Sequence, residues 1–183
     1  MNISQTVEKY SKPMRFLHWS TAMIIMTLLA VGFYMAGIDP DASDKYDLYP
    51  MHKSFGMIAL LLVLIRLPVR AKGKVPAPAA GLQKWEHNLS HLVHLGLYVA
   101  MLSMTLSGYF MSSTYQYVSG VDMFGLFTVP DITAKSEYWN GVFHEIHSFT
   151  AWAFLVLLGL HLAGVAKHRL LDDKESDVLK RMV

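Results

Sequence analysis

Histidines are the residues of this sequence whose number and spacing point to chemistry. The 183 residues include nine histidines, and two of them, His147 and His161, are 14 positions apart. In an α-helix, with about 100° and a rise of about 1.5 Å per residue, the two side chains point within about 40° of each other and lie about 21 Å apart along the axis. One helix would therefore offer two imidazoles on one face at two depths. Imidazole is a common ligand of iron, copper and zinc.

The absence of cysteine narrows that chemistry. A chain without cysteine has no disulfides, iron–sulfur clusters, thiolate zinc sites or covalently attached haem. Any haem must therefore be held without a covalent bond to the protein. The net charge is only +2, so nucleic acid is not an expected partner.

Four apolar stretches must position the histidines. Only 16% of the residues are charged, against about 25% in a typical soluble domain. A bilayer-spanning helix needs about 20 mostly apolar residues, and the stretches 16–37, 89–113 and 146–166 supply them without a charge. The stretch 52–69 is long enough only if three basic side chains, His52, Lys53 and Arg66, are included. We predict one domain over residues 1–183, an all-α four-helix bundle in the lipid membrane, with spans at about 15–37, 50–69, 88–112 and 144–168.

The basic residues predict the orientation of the bundle. Of the 16 lysines and arginines, 13 lie toward one side of the predicted bundle: at or before the start of the first span, from the end of the second span to the start of the third, or at or after the end of the fourth. Basic residues favour the cytoplasmic side, so both termini are predicted to be cytoplasmic. The two outer loops carry eight acidic residues and three basic ones. The outer face is therefore acidic.

This topology predicts which histidines face each other. Adjacent spans run antiparallel, so His161 lies level with His18 near the cytoplasmic face, and His147 lies level with His52 near the outer face. Two opposed imidazoles are the axial ligands of six-coordinate haem iron, a coordination suited to electron transfer. The sequence thus predicts an inner haem between His18 and His161 and an outer haem between His52 and His147.

Other side chains fall near these two levels. Helical spacing from His18 reaches Gly32 and Ala36 at the outer level, where a second macrocycle needs room. Spacing from His52 reaches Arg66 and Arg70 at the inner level, where they are candidates to bind haem propionates. Lys53 is the corresponding candidate outside. The alternatives are that the small residues only pack helices and that the arginines extend to the interface.

A second group of histidines lies near the cytoplasmic side. His91 and His94 share one face of the third span with His87 and Tyr98, and His168 continues the face of His161. Imidazoles beside the inner haem can donate hydrogen bonds and protons to a quinone, so His91, His94 and His168 are candidates for a quinone site. The alternative is that they are solvated or bind a propionate or the backbone.

An ordered set of short motifs resembles a known family. The set is Lys9-Tyr10-Ser11, His18-Trp19, His52, His91-Leu92-Val93-His94, Phe124-Gly125-Leu126 with Pro130, Glu145-Ile146-His147 and Gly159-Leu160-His161. Together these motifs, over residues 10–169, resemble the bacterial cytochrome b561 family. The resemblance implies a four-helix cytochrome of the bacterial inner membrane with two haem b groups, whose iron ligands are His18, His52, His147 and His161.

The chain also resembles the superoxide oxidase branch of that family, which implies an oxidoreductase that passes electrons from periplasmic superoxide to ubiquinone. Superoxide is an anion, however, and the acidic outer face fits a cationic protein donor. Lys53, Lys135 and His144 would have to form a local positive funnel. The aromatic outer loop, 113–145, is a candidate lid over the outer haem. The alternative is that its aromatic residues only lie at the membrane interface.

Two other functions stay open. The chain could be an electron-carrying membrane anchor for a partner protein, with no turnover of its own. It could also be a histidine-based zinc or nickel transporter or sensor. The second is disfavoured because no span carries an acidic residue between its proposed ligands.

Overall fold

Four long helices dominate the fold in a computed structural model, which describes residues 9–39, 42, 45–78, 81–173 and 176–183. The helices are α1 Lys12–Gly37, α2 Lys45–Lys72, α3 Lys84–Thr114 and α4 Glu137–Leu170. Each is long and apolar enough to cross a membrane. The predicted all-α membrane bundle is confirmed.

The helices extend beyond the predicted spans because polar caps, not the ends of the apolar runs, set their limits. The Ser11 side chain accepts a hydrogen bond from the Met14 amide at the start of α1, and Ser136 accepts from the Trp139 amide at the start of α4. Both are N-caps that satisfy amides left free in the first turn. The start of α4 at Glu137 places Tyr138 and Trp139 on the helix rather than in the outer loop.

A β-hairpin lies in the loop between α3 and α4, the loop predicted to be on the outer side, and this hairpin was not predicted. Strands β1 Val121–Met123 and β2 Phe127–Val129 pair antiparallel. At the turn, Phe124 has a φ of 57° and Gly125 a φ of 74°, a left-handed conformation that suits glycine and is uncommon for phenylalanine. The hairpin packs on the outer end of α2: Ser54 Oγ donates to the Asp122 carbonyl at 2.7 Å, and the Phe55 and Phe124 rings lie 5.2 Å apart.

The bundle is built from two helix pairs. Helix α1 packs mainly on α2 and α3 mainly on α4, while α2 joins the pairs through α3. Within the described residues, α1 and α4 approach each other at few points. The buried core lies at mid-depth and contains Ile25, Leu29, Ala59, Val63, Ala100, Met101 and Phe154.

The segment after α4 crosses the inner end of the bundle. It contains a short 3-10 helix, Val178–Arg181. The Arg181 carbonyl accepts from the Tyr10 amide at 3.0 Å, and the Met182 carbonyl accepts from the Trp19 indole at 2.8 Å. The Trp19 ring lies edge-on to the His18 ring, with ring centres 5.3 Å apart. The segment therefore helps to fix the environment of His18.

Candidate functional site

The outer histidine pair joins α2 to α4. The ring centres of His52 and His147 are 6.4 Å apart. His147 Nδ1 lies 2.9 Å from the Met104 carbonyl and 3.3 Å from the Ser107 hydroxyl. A carbonyl only accepts, so Nδ1 carries the proton and Nε2 keeps its lone pair. A bond of this kind fixes the ring orientation of a metal-binding histidine.

The inner pair joins α1 to α4 and has the same separation. The ring centres of His18 and His161 are also 6.4 Å apart. The Arg66 guanidinium lies 2.9 Å from His18 Nδ1, and the His94 ring lies 5.3 Å from that of His161. The inner pair therefore has a cation and a third imidazole beside it.

The distance between the ring centres in each pair matches the distance expected when a metal ion lies between two imidazoles. An imidazole nitrogen binds a first-row metal at about 2 Å and lies about 1.1 Å from its ring centre, so two axial imidazoles have ring centres about 6.3 Å apart. Both observed separations of 6.4 Å agree with this value. The His94–His161 distance of 5.3 Å is too short for that arrangement. The four histidines thus meet in the two predicted pairs, and their role as iron ligands stays a prediction.

A repeat of seven residues places every helix in both sites. Seven residues turn a helix by about 700°, which returns to nearly the same face about 10.5 Å along the axis. Three levels result, each with one residue per helix. The outer level is Gly32, His52, Gly108 and His147; the middle level is Ile25, Ala59, Met101 and Phe154; the inner level is His18, Arg66, His94 and His161. The middle level is buried core, so an apolar layer separates the two histidine pairs.

Two glycines leave room at the outer level. A Cβ at Gly108 would lie 3.1 Å from His147 Cε1, and a Cβ at Gly32 would lie 3.4 Å from His52 Cε1. The prediction that Gly32 lies at the outer level is confirmed. Gly108 was missed, although its 14-residue spacing from His94 is visible in the sequence. Together with the 6.4 Å separations, these small residues fit a planar group held between the imidazoles.

The candidate propionate partners differ in their surroundings. The Arg66 guanidinium carbon lies 5.3 Å from the centre of the Tyr98 ring, and that of Arg70 lies 5.2 Å from the Tyr10 ring. The Nε atom of Arg66 is buried without a hydrogen-bond partner in the described structure. Lys53, half-buried beside His52, interacts electrostatically with Asp131 and Lys135.

The candidate quinone residues occupy different places. His94 and His91 are both exposed. The His94 ring centre lies 5.3 Å from that of His161, whereas the His91 ring packs edge-on against His87 with ring centres 4.6 Å apart. His168 Nδ1 lies 2.6 Å from Asp172.

Asp172 also belongs to a wider ion-pair network. Lys167 Nζ lies 2.9 Å from the Asp172 carboxylate and 2.8 Å from the Glu86 carboxylate, so it bridges the two acidic side chains. The hydrogen bond from Lys167, followed by that of His168, lowers the pKa of Asp172.

The basic residues proposed to form an outer funnel are not grouped as free charges. Lys135 donates to Asp131 at 2.6 Å and to the Val118 carbonyl at 2.7 Å, and this contact lowers the pKa of Asp131. His144 is exposed and lies 3.5 Å from Glu145. Lys135 and Asp131 instead brace the loop that follows the hairpin.

Two opposed imidazole pairs at two depths of a membrane helix bundle are the arrangement expected of a haem-binding cytochrome of the b type. Comparison with known proteins agrees, because residues 9–183 match the family model described as prokaryotic cytochrome b561. The chain is also 26% identical over 183 residues to "Cytochrome b561 homolog 2" of Escherichia coli (strain K12), an alignment that covers 100% of this chain and 95% of that protein. This chain belongs to the prokaryotic cytochrome b561 family. It is a multi-pass membrane protein of electron transfer, and its cofactor is haem b.

Proposed function

We propose that the chain holds two haem b groups, an inner one between His18 and His161 and an outer one between His52 and His147. The observation that carries this proposal is the pair of equal 6.4 Å ring separations at two depths. Two haems at these levels would carry electrons across most of the apolar layer. No group of three or more histidine, aspartate or glutamate side chains in the described residues is placed to hold a metal ion, so the zinc or nickel alternative gains no support.

Each haem supplies an iron that takes up and releases one electron at a time. The protein residues supply position and charge. Met104 orients His147 through its carbonyl, and the glycines Gly32 and Gly108 leave space beside the outer rings. Arg66 and Arg70 inside, and Lys53 outside, are proposed to bind the propionates with charge-assisted hydrogen bonds. With a histidine on each side, the sites would be suited to electron transfer rather than to binding a small ligand at iron.

We further propose that the inner end reduces ubiquinone. His94 supports this proposal best, since it lies beside the inner pair and has a polar ring able to donate to a quinone carbonyl. His91 and His168 lie nearer the cytoplasmic end of the same faces and are proposed to take part in proton supply. The distribution of basic residues supports cytoplasmic termini and a location in the bacterial inner membrane.

The outer electron donor is proposed to be superoxide or a cationic protein. The resemblance to the superoxide oxidase branch favours superoxide. The pairing of Lys135 with Asp131 leaves less free positive charge at the outer face, which favours a cationic protein. Lys53, next to His52, is the basic side chain nearest to the outer pair along the sequence.

Purification of the full chain tests this function. We expect a red protein with a b-type absorption spectrum, about two haems per chain and no zinc or nickel. Stopped-flow mixing with superoxide, and separately with a cationic cytochrome, should show which donor reduces the haems; a ubiquinone analogue should then reoxidise them. A colourless protein would contradict the proposal. Haems that take electrons from a donor but never pass them to quinone would favour the membrane-anchor alternative.

A further inference from the structure

The inner and outer levels carry different charges. The inner level includes the Arg66 guanidinium, which lies 2.9 Å from His18 Nδ1 and 5.3 Å from the Tyr98 ring centre. The corresponding outer positions on α1 and α3 are the glycines Gly32 and Gly108. Arginine keeps its proton in proteins, so the inner level holds a permanent positive charge.

No carboxylate in the described part of the chain is paired with that charge. Ion pairs at the inner end join Lys167 to Glu86 and Asp172, and His168 to Asp172. Arg66 lies one layer deeper, against His18 and the Tyr98 ring. A cation in a membrane is costly and marks a functional position. In a medium of low dielectric, its field acts over a longer distance than it would in water.

The cation nearest to the outer pair along the sequence, Lys53, has different neighbours. Lys53 interacts electrostatically with Asp131 and Lys135. The Asp131 carboxylate accepts hydrogen bonds from Lys135, Ser119 and the Gly120 amide. The Asp131 carboxylate is thus paired with Lys135. The inner pair differs in geometry, because the Arg66 guanidinium lies 2.9 Å from one of its two histidines.

A fixed positive charge near an iron favours the state with one electron more. We propose that Arg66 makes the inner haem site the stronger electron acceptor of the two and thereby directs electrons from the outer side to the inner side. In this transfer the outer iron is oxidised from ferrous to ferric and the inner iron is reduced from ferric to ferrous, while Arg66 keeps its proton. The guanidinium acts in this way whether it lies against His18 or donates to a propionate, because both positions leave its charge at the inner level.

This inference rests on the proposed binding of two haems. Its test is a potentiometric titration of the full chain in detergent, followed by visible absorption. Wild-type protein should titrate as two one-electron components, and the His147→Ala variant, which lacks an outer ligand, identifies the inner one. We expect the inner component to be the one of higher potential. If the haem that remains in His147→Ala has the lower of the two wild-type potentials, the inference is overturned.

Three further variants test the residue itself. Arg66→Gln should lower the equilibrium constant for reduction of the inner haem at least tenfold, equivalent to about 59 mV for one electron. Arg66→Lys keeps the charge, so its equilibrium constant should stay within about threefold of the wild-type value. Arg70→Gln is the matched control, one turn further inward over Tyr10, and should have a smaller effect. An unchanged potential in Arg66→Gln would contradict the inference.

Haem content separates the possible failures. If Arg66→Gln binds no inner haem, the Arg66→Lys variant decides. A reduction equilibrium of the inner haem within threefold of wild type supports the role of charge, and a tenfold weaker reduction contradicts it. Fewer than two haems in the wild-type chain would instead refute the proposed function. Two haems of reversed order would refute only the role of Arg66.

Discussion

The outer and inner sites share one geometry and differ in what surrounds it. Both place two imidazoles with ring centres 6.4 Å apart, and α4 contributes a histidine to each. The outer pair is flanked by Gly32 and Gly108, the inner pair by Arg66 and His94. In the proposed function the shared geometry holds a haem, and the different surroundings set its potential and its partner chemistry. One repeat along each helix thus produces two histidine levels with separate surroundings.

Removing one ligand from each site tests whether the two levels are independent, and it should have the largest effect. His161→Ala should lose the inner haem and His147→Ala the outer one, so that haem content falls from two to about one per chain in each variant. The reason is that the remaining imidazole cannot hold a six-coordinate iron alone. The pyridine haemochrome assay measures haem content. His144→Ala, a nearby exposed histidine, is the control and should retain both haems.

The glycines of the outer level allow the outer site to be disrupted while the inner site is left intact. Gly108→Leu should displace His147, because even a Cβ would lie 3.1 Å from its ring, and should remove most of the outer haem while the inner haem stays. Redox titration should then show a single component. Gly159→Leu, on α4 where a Cβ meets nothing within 4 Å, is the matched control. Equal haem content in the two variants would show that the space beside His147 is not needed.

His94 distinguishes the inner site in function rather than in haem binding. His94→Gln should slow electron transfer to a ubiquinone analogue about tenfold or more, the lower end of what a proton donor contributes. Haem content should not change. His87→Gln, on the same helix face but nearer the helix start, is the control. If His94→Gln loses the inner haem but transfers electrons normally per remaining haem, His94 has a structural role only.

The ion pairs at the inner end should give the smallest effect. Lys167 and His168 lower the pKa of Asp172, so this carboxylate stabilises the fold above its unfolded pKa and loses that contribution as pH falls through its lower folded pKa. Asp172→Asn should lower the melting temperature slightly at neutral pH. The difference from wild type should vanish in acid. A difference that grows as the pH falls would have the wrong sign.

The pairing of the histidines was predictable because few degrees of freedom remain in a membrane bundle. A helix has a fixed rise and rotation per residue, and consecutive spans cross the bilayer in alternating directions. These constraints bring His18 level with His161 and His52 level with His147. The same reasoning, extended from His94, predicts Gly108 at the outer level, and the i, i+4 spacing of His168 and Asp172 predicts their contact.

Other features were beyond such reasoning. The hairpin strands have three residues each, too few for a clear alternation of polar and apolar residues. The start of α4 at Glu137 was missed because hydropathy marks the apolar layer and not the helix end, although Ser136 is a capping signal. The contact between Arg66 and His18 depends on the path of a long side chain, which helical spacing does not fix.

Electron paramagnetic resonance of the oxidised full chain, with haem quantified on the same sample, tests the central claim most directly. Iron held by two imidazoles is low-spin, so we expect two low-spin ferric signals of similar intensity and about two haems per chain. The His161→Ala and His147→Ala samples should each lack a different one of the two signals. A single haem per chain, or a high-spin signal from an iron with an open position, would contradict the account.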